Sequence, residues 1–354
     1  MSPLRVGLIG AGWISRTHLA ALARVAEGRA VAVCSRSLAR AERLAGAFGL
    51  ELATERVEDL IAAVDVVCVN SPNFLHAEHA IAAAKAGRHV IVEKPLAVSL
   101  EQGEAIAEAA ESAGVGLAYA EELPFVPKFA RLRELLASGA LGGPRYVAQR
   151  EAHAGPYSPW FFTRDEAGGG VLMDMACHGV ECVRWLLGKP VVAGVTARLD
   201  RVAHAERSEL EDHAVLQLDF ANGVSGLVEA SWALEGGMQS RLEVWGARGF
   251  AEADLMQATG LRVYTRDALA DGTPAAGWST PAADWLWESG YPQELAHFLR
   301  CFASGETPAE SAADGLAVLE VLYAAYASAR EGRRVALPFR PRGVARAVDL
   351  WLGA

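Results

Sequence analysis

The sequence predicts an α/β protein: an N-terminal doubly wound parallel sheet, followed by an α+β domain with a large, mostly antiparallel open sheet. Three observations carry this. The apolar run Leu4–Ile9 enters the glycine-rich turn Gly10-Ala11-Gly12-Trp13-Ile14-Ser15 at once. Strand-like and helix-like runs then alternate as far as Tyr119, the pattern of a parallel sheet. Beyond Pro144 the pattern changes to short alternating runs, as in half-buried antiparallel strands.

The chain has 354 residues, enough for two full cores. It is 52% hydrophobic and 21% charged, a globular composition. A net charge of −10 argues against a nucleic-acid partner, which selects a basic face, and no polybasic membrane patch is present. The five cysteines (Cys34, Cys68, Cys177, Cys182 and Cys301) are scattered and form no Cys-x-x-Cys. With no signal-peptide pattern and no apolar stretch of membrane-spanning length, a reducing, cytoplasmic setting is expected.

The first element is a buried strand, Leu4–Ile9, and a helix is expected over 18–26. Between them Gly10 permits a tight turn, and Gly12 lets backbone approach a pyrophosphate on the helix amino end, flanked by Trp13 and Ile14. Ser15 stands where a third glycine is usual and is small enough to pack. Strands are expected at 30–34, 64–69, 89–92 and 115–119, with helices at 38–48, 76–86 and 100–113. Ligands bind such sheets at the carboxyl ends of the strands. The second strand ends in Cys34-Ser35-Arg36-Ser37, with no acid for a ribose hydroxyl. Ser35 and Arg36 suit a 2′-phosphate, so NADP is expected ahead of NAD. The third strand ends in Asn70-Ser71-Pro72-Asn73, followed by His76; Ser71, Pro72, Asn73 and His76 are candidate cofactor contacts. The fourth ends in Glu93-Lys94-Pro95, which places Glu93 and Lys94 at a strand mouth.

The second domain opens with a helix inside 125–143 and a strand over 145–153. An aromatic loop, Gly155 to Phe162, leads into Gly168-Gly169-Gly170 and a helix over 174–187. Asp174 and His178 are four apart, so an ideal helix stacks them on one face, where an aspartate can steady an imidazole. The glycine run is expected to let backbone pass close to cofactor and substrate. His153, Tyr157 and Trp160 are candidate substrate contacts. Strands follow at 191–200, 212–220, 224–234, 240–245, 249–254 and 261–264, with Asn222-Gly223 as a hairpin signal. A loop is expected over 267–280, helices over 291–304 and 311–331, and a tail that packs as a short helix or on a partner subunit. Glu151 and His153 share a strand face, and His178 and Glu181 share a helix face, but no ligand-spacing motif joins them and no metal is expected.

The Gly10–Ser15 turn, Glu93-Lys94-Pro95, and Gly168-Gly169-Gly170 with Asp174 and His178 together resemble the Gfo/Idh/MocA oxidoreductases, named for glucose–fructose oxidoreductase, inositol dehydrogenase and a rhizopine-catabolism protein. The likeness covers almost the whole chain. It implies a Rossmann domain over 1–122, a substrate and oligomerisation domain over 123–340, and a tail over 341–354. It implies an enzyme acting on a secondary alcohol of a sugar or cyclitol, with Lys94, Asp174 and His178 matching the family's catalytic lysine, aspartate and histidine. Ala176 stands where glycine is frequent. In that scheme His178 is the general acid/base, Lys94 stabilises the alkoxide and Asp174 orients His178. A homodimer or homotetramer through the open sheet is implied. Two other functions fit the same residues: a redox-neutral, sugar-cleaving or eliminating enzyme with tightly bound nucleotide, and a non-catalytic NADP sensor.

Overall fold

The computed structural model describes residues 2–257, 261–265, 277–279 and 288–353, and its contacts divide the chain into two compact units. The first unit holds residues 1–121 and 291–319; the second holds 122–290 and 320–354.

In the first unit, strands β1 (Leu4–Ile9), β2 (Gly28–Cys34), β3 (Leu52–Thr54), β4 (Val66–Val69), β5 (His89–Glu93) and β6 (Leu117–Ala120) form one parallel sheet, ordered β3-β2-β1-β4-β5-β6. Helices α1 (Trp13–Leu22), α2 (Leu38–Phe48), α3 (Val57–Ala63), α4 (His76–Lys85) and α5 (Leu100–Ala113) make the crossovers. Val6, Leu8, Val33, Val67 and Ile91 are fully buried, as strands covered on both faces require. The order reverses between β1 and β4, so the ligand crevice belongs at their carboxyl ends. Two expectations change here. The first helix begins at Trp13, directly on the glycine turn, not at His18. The sheet also has a sixth strand, β3, whose three residues are too few to show a period in sequence.

The second unit opens with α6 (Pro127–Ala137) and β7 (Pro144–His153). Short α7 (Arg164–Ala167) precedes the glycine run, a π-helical turn covers Leu172–Ala176, and α8 (Cys177–Leu186) continues from it. Strands β8 (Val192–Asp200), β9 (His213–Phe220), β10 (Ser225–Ser231), β11 (Met238–Gly246), β12 (Gly249–Asp254), β13 (Leu261–Thr265) and β14 (Gly277–Ser279) follow. The sheet runs β14-β13-β12-β11-β7-β10-β9-β8-β15, where β15 is Val335–Ala336. Its pairs are antiparallel except β10 with β7. The Asn222-Gly223 turn joins β9 to β10, with Val224 N donating to Asn222 Oδ1 at 3.2 Å. The expected loop over 267–280 lies outside the described residues apart from β14.

The chain then supplies α9 (Tyr291–Ser304), α10 (Ala312–Glu331) and α11 (Asp349–Leu352). Helix α9 belongs to the first unit, which moves the expected boundary: Leu299 lies against Gly28, and Phe302 stacks on His89 at 4.8 Å. The second boundary falls within α10. By length and composition α10 could cross a membrane, contrary to the sequence expectation, yet 72% of its apolar window is buried in the protein. The tail does form a short helix, and it packs inside its own unit. Arg164 Nε donates to Asp349 Oδ1 at 2.8 Å, and Val348 N donates to Gly168 O at 3.2 Å. All five cysteines are buried, and none forms a disulfide among the described residues.

Candidate active site

In the first unit the glycine turn has the geometry that a pyrophosphate needs. Gly10 has φ +118°, and a side chain there would bring Cβ to 2.3 Å from Asn70 O. At Gly12 a Cβ would meet nothing within 4 Å. Gly12 caps α1 without a side-chain hydrogen bond, which leaves the first-turn N–H groups for a ligand. Trp13, 66% exposed, stands beside that opening, and Ile14 is half-buried. The residues fit a dinucleotide.

A polar chain fixes this turn from behind. Ser15 Oγ donates to Gly10 O at 2.8 Å, and Asn70 Nδ2 donates to Ser15 Oγ at 3.3 Å. Asn70 Nδ2 also lies 3.3 Å from His18 Nδ1, whose Nε2 lies 2.9 Å from Glu93 Oε1. The serine that replaces the third glycine is therefore a working member of the turn. Glu93 is buried, ties β5 to α1 through His18, and accepts from Lys94 N at 3.1 Å. His18 was invisible as a functional residue because only the fold brings it to Glu93. Lys94 is half-buried at the mouth of β5.

His76 is fully enclosed, with its two ring nitrogens each 2.9 Å from a carbonyl, Pro95 O and Ser71 O. Burial holds its pKa below the usual imidazole value. It braces the turns after β4 and β5 together. Ser71 Oγ lies 3.0 Å from His79 Nδ1; Asn73 is buried and Pro72 half-buried at the start of the following turn.

At the end of β2, Ser35 is half-buried and Arg36 is exposed, with no hydrogen bond or ion pair among the described residues. Carboxylates also gather here, which the β2 sequence could not reveal. Glu55 Oε1 accepts from Leu38 N at 3.0 Å. Burial foremost, then Glu58, Asp59 and Glu55, push the Cys34 thiol up to about 11.

In the second unit the glycine run enters the π-helical turn that carries Asp174, and His178 follows in the first turn of α8. A π-helical turn advances differently from an α-helix, so four-residue spacing no longer fixes which side chains stack. Asp174 and His178 are both buried. Asp174 Oδ2 accepts from Trp232 Nε1 at 3.1 Å, and His178 Nδ1 lies 3.6 Å from Glu122 Oε2. Trp232 and Glu122 were both missed: each reaches the turn from a distant part of the sequence. Phe162 of the aromatic loop packs on Trp232 with centroids 5.6 Å apart, so one end of that loop supports the indole. Trp160 stacks on Phe161 at 3.7 Å, and Tyr157 is 89% exposed. His153 Nδ1 accepts from Gly155 N at 2.9 Å at the loop's start.

Inside the protein the glycine run also makes room for two other residues. A Cβ on Gly169 would lie 2.1 Å from Tyr326 Oη, and one on Gly170 would lie 2.0 Å from Glu211 O. The glycines admit these two residues. Glu151, His153, His178 and Glu181 do not gather as one cluster among the described residues; Glu181 pairs with Arg184 and Lys189.

Comparison with known proteins agrees with this arrangement. Residues 4–121 match the model of the oxidoreductase family with an NAD-binding Rossmann fold, and residues 129–252 match the GFO/IDH/MocA C-terminal domain. The inositol 2-dehydrogenase of Rhizobium meliloti (strain 1021) is 28% identical over 94% of this chain and 99% of its own. The crystal structure of GenD2 from gentamicin A biosynthesis, in complex with NAD, is 34% identical, with TM-score 0.85 over 96% of this chain and 97% of that one. Levoglucosan dehydrogenase, in complex with NADH and L-sorbose, is 27% identical, with TM-score 0.85 over 96% of this chain and all (100%) of that one. The chain belongs to the GFO/IDH/MocA family of NAD-binding oxidoreductases.

Proposed function

We propose that this enzyme interconverts a secondary alcohol of a sugar, cyclitol or related polyol with its ketone, using His178 as general acid/base. The observation that carries the reading is the setting of His178: buried in the first turn of α8, directly after a π-helical turn, with a carboxylate 3.6 Å from Nδ1. A carboxylate beside one ring nitrogen orients the ring and leaves the other nitrogen to exchange a proton with a substrate hydroxyl. Asp174, held by Trp232, lies on the π-helical turn just before it. Lys94 is assigned to hold the substrate oxygen as charge develops on it.

Gly10, Gly12, Trp13, Ile14, Ser35, Arg36, Ser71, Pro72 and Asn73 would hold the dinucleotide, with His76 and Glu93 shaping its mouth. When bound, the nicotinamide supplies hydride exchange with the substrate carbon. NADP is the first choice, because Arg36 is an unengaged guanidinium beside Ser35. Glu55, Glu58 and Asp59 oppose a 2′-phosphate, so the preference over NAD should be modest. His153, Trp160 and Tyr157 are assigned to the sugar. We assign the enzyme to the cytoplasm and to a homo-oligomer paired through the half-exposed sheet face on which Tyr146 packs against Trp245 with centroids 4.7 Å apart.

The test is a screen of polyols and sugars with NAD and NADP, read by nicotinamide absorbance, with His178→Asn alongside. Turnover of a polyol that falls by ~100-fold or more in His178→Asn is expected. Turnover unchanged in that variant would refute the assignment.

A further inference from the structure

A buried acid outside the assigned catalytic set meets the amino end of the turn that carries Asp174. Glu211, just before β9, is fully enclosed. Its Oε1 accepts from Gly170 N at 3.0 Å, from Leu172 N at 3.1 Å and from Tyr326 Oη at 2.7 Å. Its backbone oxygen accepts from Val171 N at 2.9 Å. One residue therefore takes three consecutive amide protons, those of residues 170, 171 and 172, at the amino end of the segment bearing Asp174 and His178. These are the N–H groups that a helix start leaves without partners, and a negative charge is favoured there. The approach is possible only because Gly169 and Gly170 carry no Cβ.

The arrangement is lopsided for a purely structural cap. Three donors converge on Oε1, while Oε2 makes no hydrogen bond among the described residues. Tyr326 of α10 is the titratable side chain that faces it; the neighbouring Asp212 turns instead to Val202 N, Ala203 N and His204 N, at 2.6, 2.8 and 2.6 Å. Burial pushes the Glu211 carboxyl up to about 7, against the pull of its hydrogen bonds. An uncapped turn could have been closed by a serine or an apolar contact at lower cost.

We propose that Glu211 is a positioning residue whose Oε1, by accepting from the Gly170 and Leu172 amides, locks the π-helical turn and so sets the placement of Asp174 and His178. This rests on the acid/base reading of His178. Glu211→Ala removes the acceptor, and Glu211→Gln keeps an oxygen there without the charge. Hydrogen–deuterium exchange over residues 168–178 of the full-length enzyme should quicken by about tenfold in Glu211→Ala and far less in Glu211→Gln, as for a locally loosened segment. In the wild type that exchange, corrected for intrinsic chemistry, should also quicken as pH rises through about 7, because opening releases to solvent a charge that burial disfavours, and in Glu211→Gln this pH dependence should vanish. Turnover of Glu211→Ala should fall about tenfold with cofactor KM within about twofold of wild type. Unchanged exchange, or faster exchange with unchanged kcat, would overturn the proposal. If Glu211→Ala does not fold, Tyr326→Phe takes its place, with the same direction and a smaller loss. A His178→Asn enzyme with wild-type turnover would remove the acid/base reading alone, and the exchange measurement would still decide whether Glu211 holds the turn.

Discussion

His178 Nδ1 lies 3.6 Å from Glu122 Oε2, with both side chains buried in the second unit. That distance is long for a hydrogen bond but close enough for the carboxylate to orient the ring. Glu122→Gln should therefore reduce kcat by about tenfold. Steady-state kinetics on both enzymes check it; an unchanged kcat would remove Glu122 from the site.

Trp232 donates its indole N–H to Asp174 Oδ2 at 3.1 Å. Trp232→Phe keeps much of the ring packing against Phe162 and leaves a buried carboxylate oxygen short of a donor, at a cost of about 1–3 kcal/mol. The melting temperature should drop by several degrees and kcat should fall, while cofactor affinity stays near wild type. Calorimetry and steady-state kinetics read the two parts separately.

Arg36→Ala should weaken NADP by about tenfold while changing NAD little, since one charge-assisted phosphate contact is lost. Equal weakening of both nucleotides would dispose of the 2′-phosphate contact. Titration of each nucleotide against intrinsic fluorescence gives the affinities, with Trp13 beside the glycine turn.

Ionising Glu211 should cost stability. Its folded pKa of about 7 lies above the ordinary 4.5, so its contribution is complete below pH 4.5 and lost as pH rises through about 7. Above that pH the cost is about 3 kcal/mol. At pH 8 Glu211→Gln should melt at or above the wild-type temperature, and the gain should shrink toward pH 5. A thermal-melting series across that range checks the sign.

Gly170→Ala is the harshest change suggested by the backbone. Its Cβ would lie 2.0 Å from Glu211 O, a backbone atom with no freedom to step aside. Loss of at least ~3 kcal/mol of stability, or failure to fold, is expected by analogy with overpacked cores. A soluble, fully active Gly170→Ala protein would contradict the packing described for that turn.

What could be read from sequence divides along a physical line. The Gly10 turn, helices α2 and α5 and the Asn222-Gly223 hairpin are dictated by neighbours a few residues away, and local pattern was enough for them. His18, Glu122, Glu211 and Trp232 owe their roles to partners tens of residues distant, which only the fold supplies. The glycine run was visible, but the room it makes for Tyr326 and Glu211 was not, because those two residues come from distant parts of the sequence. The phase of Asp174 and His178 was also hidden, because nothing in their local sequence distinguishes a π-helical turn from an α-helical one. Helix α9 was placed to the residue, while its membership of the first unit required knowing what its apolar face covers.

Val348 N reaches back to Gly168 O, and Arg164 to Asp349 and Gly353, across some of the longest separations in the chain. This joins the timing of folding to the segment that bears Asp174 and His178. On a ribosome emitting about 5–20 residues per second, the segment around Gly168 emerges many seconds before the residues that fasten it. Until then its open carbonyls and apolar flank are exposed in the nascent chain. A stalled or prematurely ended chain would therefore carry Asp174 and His178 on an unfastened segment, open to chaperones and proteases.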